Sequence, residues 1–254
     1  MRVVHVIPTY NESENIELFL RALSRVIDRD QKRQHLILVV DDNSPDGTGK
    51  IVARYASNYK NIYLLSGSKK GLGRAMVRGI NYAVAKLNAE VIVPTEADFA
   101  FDPKYTLPAL EKIDQGYDVV VGSRHVKRGK TKSWTFNRKL NHWLANTVFA
   151  SWVAGIDEVK DHNGAFRAVR VKGVQDRINF SDFPSGFGFF CYWIYKLTQV
   201  TTKLYELPIT YKFRVRGESK VSFNPKYLSS YLQDVKEYIQ LAFKIRRERN
   251  TISV

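Results

Sequence analysis

The chain has 254 residues, 44% hydrophobic and 13% aromatic, which is enough to build one packed α/β domain and too apolar for a disordered segment. Its single cysteine excludes an internal disulfide framework, and no apolar run reaches the ~18 residues that cross a bilayer. A formal net charge of +15 draws anionic partners, a class that includes nucleotides, phosphorylated lipids and nucleic acid.

In chain order, "RVVHVIP" from Arg2 is a short apolar run closed by Pro8 and reads as a strand. "NESENIELFLRALSRVI" places Ile16, Phe19, Leu20, Leu23 and Ile27 on one helical stripe. "HLILVVDD" reads as a buried strand, "DGTGKIVARYASNY" as a helix and "NIYLLS" as a strand. "GLGRAMVRGINYAVAKL" is a helix with a glycine-rich start, followed by strand "EVIVPTE", helix "TLPALEKIDQG" and strand "YDVVVGS". Such alternation predicts a mostly parallel central sheet with helices on both faces, whose ligands bind beyond the carboxyl ends of the strands. The second half is less regular. Asn141 to Ala154 reads as an aromatic-rich helix, "NGAFRAVR" as a tight turn into a strand, and "LYELPITYKF" as another strand. From Tyr227 onward the chain is helical, with apolar residues at Leu228, Leu232, Val235, Ile239, Ala242 and Phe243.

Acidic residues recur where strands end: Glu12 after "IPTYN", Asp41 and Asp42 after "LILVV", and Glu96 with Asp98 after "VIVPT". Any one of them could cap a helix or shape a turn, and capping is the expected role of Asn11 and Asp46. Several acids on one rim instead suggest a divalent cation, a ribose or a base. Basic charge is segregated too. From Arg124 to Ile156 there is no acid, while "RHVKRGKTKSWTFNRK" carries seven Lys and Arg beside aromatic residues. The segment "KSWTF", Lys132 to Phe136, is expected to form a loop near an acceptor. The histidines (His5, His35, His125, His142, His162) show no metal-ligand spacing and read as surface or packing residues. No nucleic-acid-binding motif is present, so the charge is not assigned to nucleic acid.

The segments "IPTYNE", "VVDDNSPDGT", "GLGRAMVRGI", "EADFAFDP", "VGSRHVKRG", "GAFRAVR" and "RVRGESK" follow one another in the order and spacing of dolichol-phosphate mannosyltransferases. The chain therefore resembles this polyprenyl-phosphate branch of the family 2 glycosyltransferases over roughly Val3 to Lys220. The resemblance implies a GT-A fold, with a catalytic domain over 1–222. The family often follows that domain with transmembrane helices or a membrane partner, whereas residues 223–254 of this chain are expected to form a C-terminal amphipathic basic helix without a transmembrane domain. It implies that Pro8, Tyr10 and Glu12 line the donor-base pocket and that Val40 and Asp42 make further nucleotide contacts. Glu96 and Asp98 match the metal-binding acids, for Mg2+ or Mn2+, and Ala97 between them touches the donor. Arg124, Arg214 and Lys220 match the cations that meet donor and acceptor phosphates, a chemistry suited to guanidinium forks and a mobile ammonium. The match departs at Glu96, where the family has Asp, at Phe101, and at Phe190 and Tyr192, where polar residues are usual.

The implied activity is inverting transfer of a sugar, mannose from GDP-mannose first and glucose from UDP-glucose next, onto a polyprenyl or dolichyl phosphate. An acceptor phosphate is already ionised and needs no protein base. A hydroxyl acceptor would need one, and Asp161 and Asp182 are the candidates. A third reading, donor binding without turnover, stays open because of Glu96. The expected setting is cytoplasmic and peripheral, on a membrane surface or beside a membrane-anchored partner. The C-terminal helix could pack on its own domain or lie on an anionic surface.

Overall fold

The computed structural model of the chain describes residues 1–132, 136–212 and 228–252. Its strands are β1 (Arg2–Thr9), β2 (Gln34–Asp41), β3 (Ile62–Ser66), β4 (Val91–Pro94), β5 (Val119–Ser123), β6 (Lys130–Thr131), β7 (Arg167–Arg170), β8 (Leu204–Pro208) and β9 (Thr210–Tyr211). Seven of them form one sheet in the order β3-β2-β1-β4-β7-β5-β8, and β6 pairs with β9 in a small second sheet. The helices are α1 (Ile16–Ile27), α2 (Thr48–Asn58), α3 (Leu72–Ala85), α4 (Thr106–Asp114), α5 (Phe136–Trp143), α6 (Gly188–Thr198) and α7 (Leu228–Ile252).

The alternating side chains of β2 divide the core. Ile37 and Val39 join Ile16, Phe19, Leu20 and Leu23 of α1 and Val52 of α2 on one face. Leu36, Leu38 and Val40 join Ala75, Met76 and Ile80 of α3 on the other. Because both faces are covered, the strand reads as an unbroken apolar run. Helix α3 lies unusually close to the sheet. A Cβ on Gly79 would come within 2.6 Å of Val6 and 2.7 Å of Val40, so only glycine permits that approach.

The expected parallel sheet is observed with one strand reversed. β7 runs antiparallel to both of its neighbours, β4 and β5. The expected aromatic helix after Asn141 begins as α5 and continues as a π-helix over Leu144–Val153.

The C-terminal helix α7 packs against the domain, but only in part through the stripe read from its sequence, of which Ala242 is buried. Leu241, Ala242 and Ile245 are buried, while Leu232, Val235 and Phe243 are exposed. Tyr238 supplies part of the inward face, its hydroxyl bonding Asn163 Oδ1 at 2.8 Å and the Ala145 carbonyl at 3.2 Å. The helix thus carries two apolar stripes, and only the one containing Tyr238 and Ile245 meets the core. Among the described residues, no helix is long and apolar enough to cross a membrane.

Candidate active site

Strands β1, β2 and β4 lie side by side and parallel, with Thr9 opposite Asp41 and Val6 opposite Pro94. Their carboxyl ends therefore open on one rim, and the chain leaves that rim through the acids at 12, 41, 42, 96 and 98. Each end also carries a non-glycine residue in the left-handed region: Asn11 (φ 58°), Asn43 (φ 51°) and Phe99 (φ 61°). Asparagine tolerates this region because its short amide can bond locally. Phe99 has no such compensation and is held by edge-to-face contact with Phe19, ring centroids 5.3 Å apart. Asn11 is therefore a turn residue and not the expected helix cap, because α1 starts after Asn15. Asp46 stands one residue before the N-cap of α2, which is Gly47; it accepts from the Thr48 N–H at 3.0 Å and the Ser13 N–H at 2.9 Å and so ties the start of α2 to the turn before α1.

The rim residues divide by what holds them. Asp41 is a structural clip, accepting from Thr9 Oγ1 at 3.1 Å, Ser44 Oγ at 2.6 Å and the Ser44 N–H at 3.0 Å. Asp42 is nearly buried and receives Arg78 Nη2 at 2.6 Å. Pro8 and Val40 sit opposite one another in adjacent strands. The ammonium of Lys69 lies 3.8 Å from the centre of the Tyr10 ring, a cation–π contact. Glu12 accepts from Asn15 Nδ2 at 2.8 Å, and its backbone N–H donates to Thr48 Oγ1 at 2.9 Å. Asp98 is buried and turns the loop by accepting the Ala100 N–H at 2.9 Å, while Ala97 packs into the core. Glu96 is half-buried.

Across β7, at the end of β5, stands Arg124. Three of its donors converge on Asp161: the backbone N–H at 2.9 Å, Nε at 2.7 Å and Nη2 at 2.6 Å. Both residues are buried. Burial alone would raise the Asp161 carboxyl, but the charge and bonds of Arg124 hold it well below the usual carboxylate range. Arg124 in turn stays firmly protonated: burial opposes the charge, and Asp161 outweighs it. Its guanidinium lies 5.1 Å from the Tyr211 ring, and Arg138 Nη2 donates to the Tyr211 hydroxyl at 3.3 Å. Burial, and then the nearby charge of Glu96, push the Tyr211 phenol up to about 12. The acids of β4 and the cations beyond β5 therefore share one electrostatic neighbourhood.

Sequence reading placed Arg124 here but missed Arg138, Tyr211 and Arg78. Arg138 lies in the basic block, which was a usable signal; nothing in the sequence marks Tyr211. Asp161, considered as a base, is committed to Arg124. Asp182, the other base candidate, accepts from the Tyr192 hydroxyl at 2.6 Å and Lys244 Nζ at 2.8 Å. Arg214 and Lys220 lie outside the described residues, as does most of "KSWTF". His162 is a packing residue bonded to Asn146 and the Ile156 carbonyl. His125 and His142, unremarkable by spacing, meet with their Nε2 atoms 2.8 Å apart beside Asp161.

Residues 5–177 match the model of the family described as glycosyl transferase family 2. The chain is 34% identical over 224 residues to an undecaprenyl-phosphate mannosyltransferase of Micrococcus luteus, covering 87% of this chain and 88% of that one. It is also 34% identical over 235 residues to a dolichol-phosphate mannosyltransferase of Pyrococcus furiosus, where the match takes in 92% of this chain but spans only 63% of the relative's length. In fold it is similar to mannosyl-3-phosphoglycerate synthase of Rubrobacter xylanophilus, with a TM-score of 0.66 at 18% identity over 98% of this chain and 75% of that one. Glucosyl-3-phosphoglycerate synthase of Mycobacterium tuberculosis, crystallised with Mn2+ and UDP, superposes with a TM-score of 0.65 at 14% identity over 96% and 80% of the two chains. The α/β GT-A architecture expected from the sequence motifs is the one observed.

Proposed function

The chain belongs to glycosyl transferase family 2, and from that premise we propose that it transfers a sugar from a nucleotide diphosphate donor to a polyprenyl phosphate. The observation that carries this reading is the opposition of two strand-end acids, Glu96 and Asp98, to a buried guanidinium, Arg124, oriented by Asp161. The acids offer hard carboxylate oxygens, a donor set suited to Mg2+ or Mn2+. Bound there, such an ion would neutralise negative charge on the departing diphosphate.

The chain's own groups then position and balance charge. Asp42, fixed by Arg78, and Tyr10, under Lys69, hold the nucleoside. Arg124, with Arg138 close by, offsets the repulsion between donor and acceptor phosphates, joined by Arg214 and Lys220. An acceptor phosphate oxygen forms the new bond to the anomeric carbon as the sugar–diphosphate bond breaks, with the electron pair leaving on the diphosphate. No proton has to be removed, which accords with the ion pairing of both base candidates. A hydroxyl acceptor would need a free carboxylate, and neither Asp161 nor Asp182 offers one. The relatives named as mannosyltransferases favour mannose, and hence GDP-mannose, with UDP-glucose as the next donor.

A lipid acceptor requires access to a membrane surface. Phe136 (77% exposed), Leu140, Trp143 and Trp152 (65% exposed) stand out from α5 and the π-helix within the acid-free basic block, a composition suited to an anionic interface. The chain is accordingly read as peripheral on the cytoplasmic face of a membrane.

The test is a donor panel of GDP-mannose, UDP-glucose and UDP-N-acetylglucosamine with a short polyprenyl phosphate and Mn2+. Transfer from GDP-mannose is expected, and Asp98→Ala should abolish it. Near-normal turnover in that variant rejects the metal role. Sedimentation with anionic vesicles should fall as salt rises, and failure to sediment at any salt rejects surface docking.

A further inference from the structure

We infer that His125, His142 and Asp161 form a second metal site, for a borderline transition ion such as Zn2+, distinct from the acids at 96 and 98. The two histidines come from different elements, the loop after β5 and helix α5. Their Nε2 atoms nonetheless meet at 2.8 Å in a ring-to-ring hydrogen bond, with the rings 11° from parallel and their centroids 5.0 Å apart, so an ion would replace that bond. A carboxylate oxygen of Asp161 completes a set whose three ligand atoms all lie within 4.8 Å of one another. Among the described residues no other group of three His, Cys, Asp or Glu side chains meets that condition.

The chemistry of the set selects the ion. Imidazole nitrogens favour Zn2+, Ni2+ and Cu2+, whereas Mg2+ and Mn2+ favour the all-oxygen rim. With Zn–N bonds of about 2.1 Å, nitrogens 2.8 Å apart subtend about 85° at the ion, so tetrahedral geometry needs them opened by about 0.6 Å and the rings, now aimed at each other, turned toward the ion. Side-chain rotation in the exposed His125 can supply that opening.

The site shares Asp161 with Arg124, and this gives it a consequence. A divalent ion that takes an Asp161 oxygen competes with the guanidinium for the same carboxylate and sits beside a like charge. Binding would loosen the grip that orients Arg124. The second ion is therefore expected to inhibit, where Mg2+ or Mn2+ supports turnover. The inhibition rests on the proposed transferase reaction; the binding does not.

The binding is tested first, without nucleotide or lipid, by competing the metal-stripped chain against a chromophoric zinc indicator and by recording the visible spectrum with Co2+. Wild type should take up one Zn2+ per chain and give a Co2+ spectrum. His125→Ala, whose side chain is exposed, and His142→Gln should each weaken Zn2+ by at least the ~10-fold lost with an outer-shell partner. Asp98→Asn should leave it unchanged. Equal Zn2+ uptake by wild type and a folded His125→Ala/His142→Gln double variant would overturn the site, whatever the transfer assay gives. Zn2+ uptake that vanishes with Asp98→Asn and persists in both histidine variants would assign the ion to the acidic rim, and overturns it equally.

Discussion

Replacing Asp161 by Asn tests the buried pair on which the phosphate-binding side of the site depends. Arg124 and Asp161 share a bidentate contact and a further backbone bond, at 2.6, 2.7 and 2.9 Å, and both are buried. An amide at 161 keeps the volume, removes the charge and turns one donor group toward the guanidinium. Breaking a buried pair from one side costs about 3–5 kcal/mol, because the remaining charge is left uncompensated. In a domain of this size each kcal/mol moves Tm by roughly 2–4 °C, so the variant should melt roughly 6–20 °C lower. If Arg124 also serves the phosphates, its loss of orientation should reduce kcat by about 100-fold or more, the scale of losing one preorganised charge contact. Differential scanning calorimetry and the transfer assay read the two effects separately. The pH dependence has a definite sign. The folded carboxyl lies below its ordinary value, so the stabilisation is complete above about pH 4 and fades only as pH falls toward the folded value. An Asp161→Asn variant that keeps the wild-type Tm would refute the energetic reasoning. A lowered Tm with unchanged kcat would refute the positioning role of Asp161.

Other expectations follow from separate parts of the molecule. His5 is fully buried, and its pKa is lowered to about 3 by burial first and then by His35. Stability should be complete above about pH 6.5 and decline as the unfolded state takes up the proton, by roughly 3 kcal/mol at pH 4.5. In urea titrations, His5→Gln should show a smaller loss between pH 7.5 and 4.5 than wild type, and an equal loss would count against it. Arg78→Met should release Asp42 and raise KM for the donor about tenfold with little change in kcat, as expected for loss of a charged hydrogen bond; an unchanged KM removes Asp42 from the nucleotide contacts. A Cβ at Gly73 would lie 2.1 Å from the Pro184 carbonyl oxygen, so Gly73→Ala must shift backbone and should cost about 1–3 kcal/mol by chemical denaturation.

The first half of the fold was legible because its signals are local and repeated. Apolar runs of strand length alternate with stripes of helical period, and the acids follow directly on the runs. That β1, β2 and β4 are neighbours follows from parallel pairing, so the shared rim could be anticipated. The reversal of β7 could not, since "RAVR" carries no mark of direction and its orientation is set by pairing on both sides. In the sequence Asp161 reads only as a candidate base for a hydroxyl acceptor. Its commitment to Arg124, 37 residues away, is a matter of tertiary approach. The meeting of His125 and His142 escaped for the same reason, as ligand spacing along a chain reports only sites built on one element. In α7 the stripe read from the sequence lies partly round the wrong side: it holds Ala242, which is buried, and Leu232, Val235 and Phe243, which face out, and it leaves out Leu241 and Ile245, which the core accepts.

The reversed β7 also fixes a dimension. It stands between β4, which bears Glu96 and Asp98 at its exit, and β5, which bears Arg124. Interstrand spacing is about 4.8 Å, so the two exits are held about 10 Å apart by one intervening strand. Because that strand runs backwards, its beginning and not its end lies in the gap, and the turn before it carries Asp161 down to meet Arg124. A forward strand would have filled the gap with its own departing loop. The sheet thus acts as a gauge whose opening, two strand widths, is set by hydrogen-bond geometry and cannot be tuned by side chains alone.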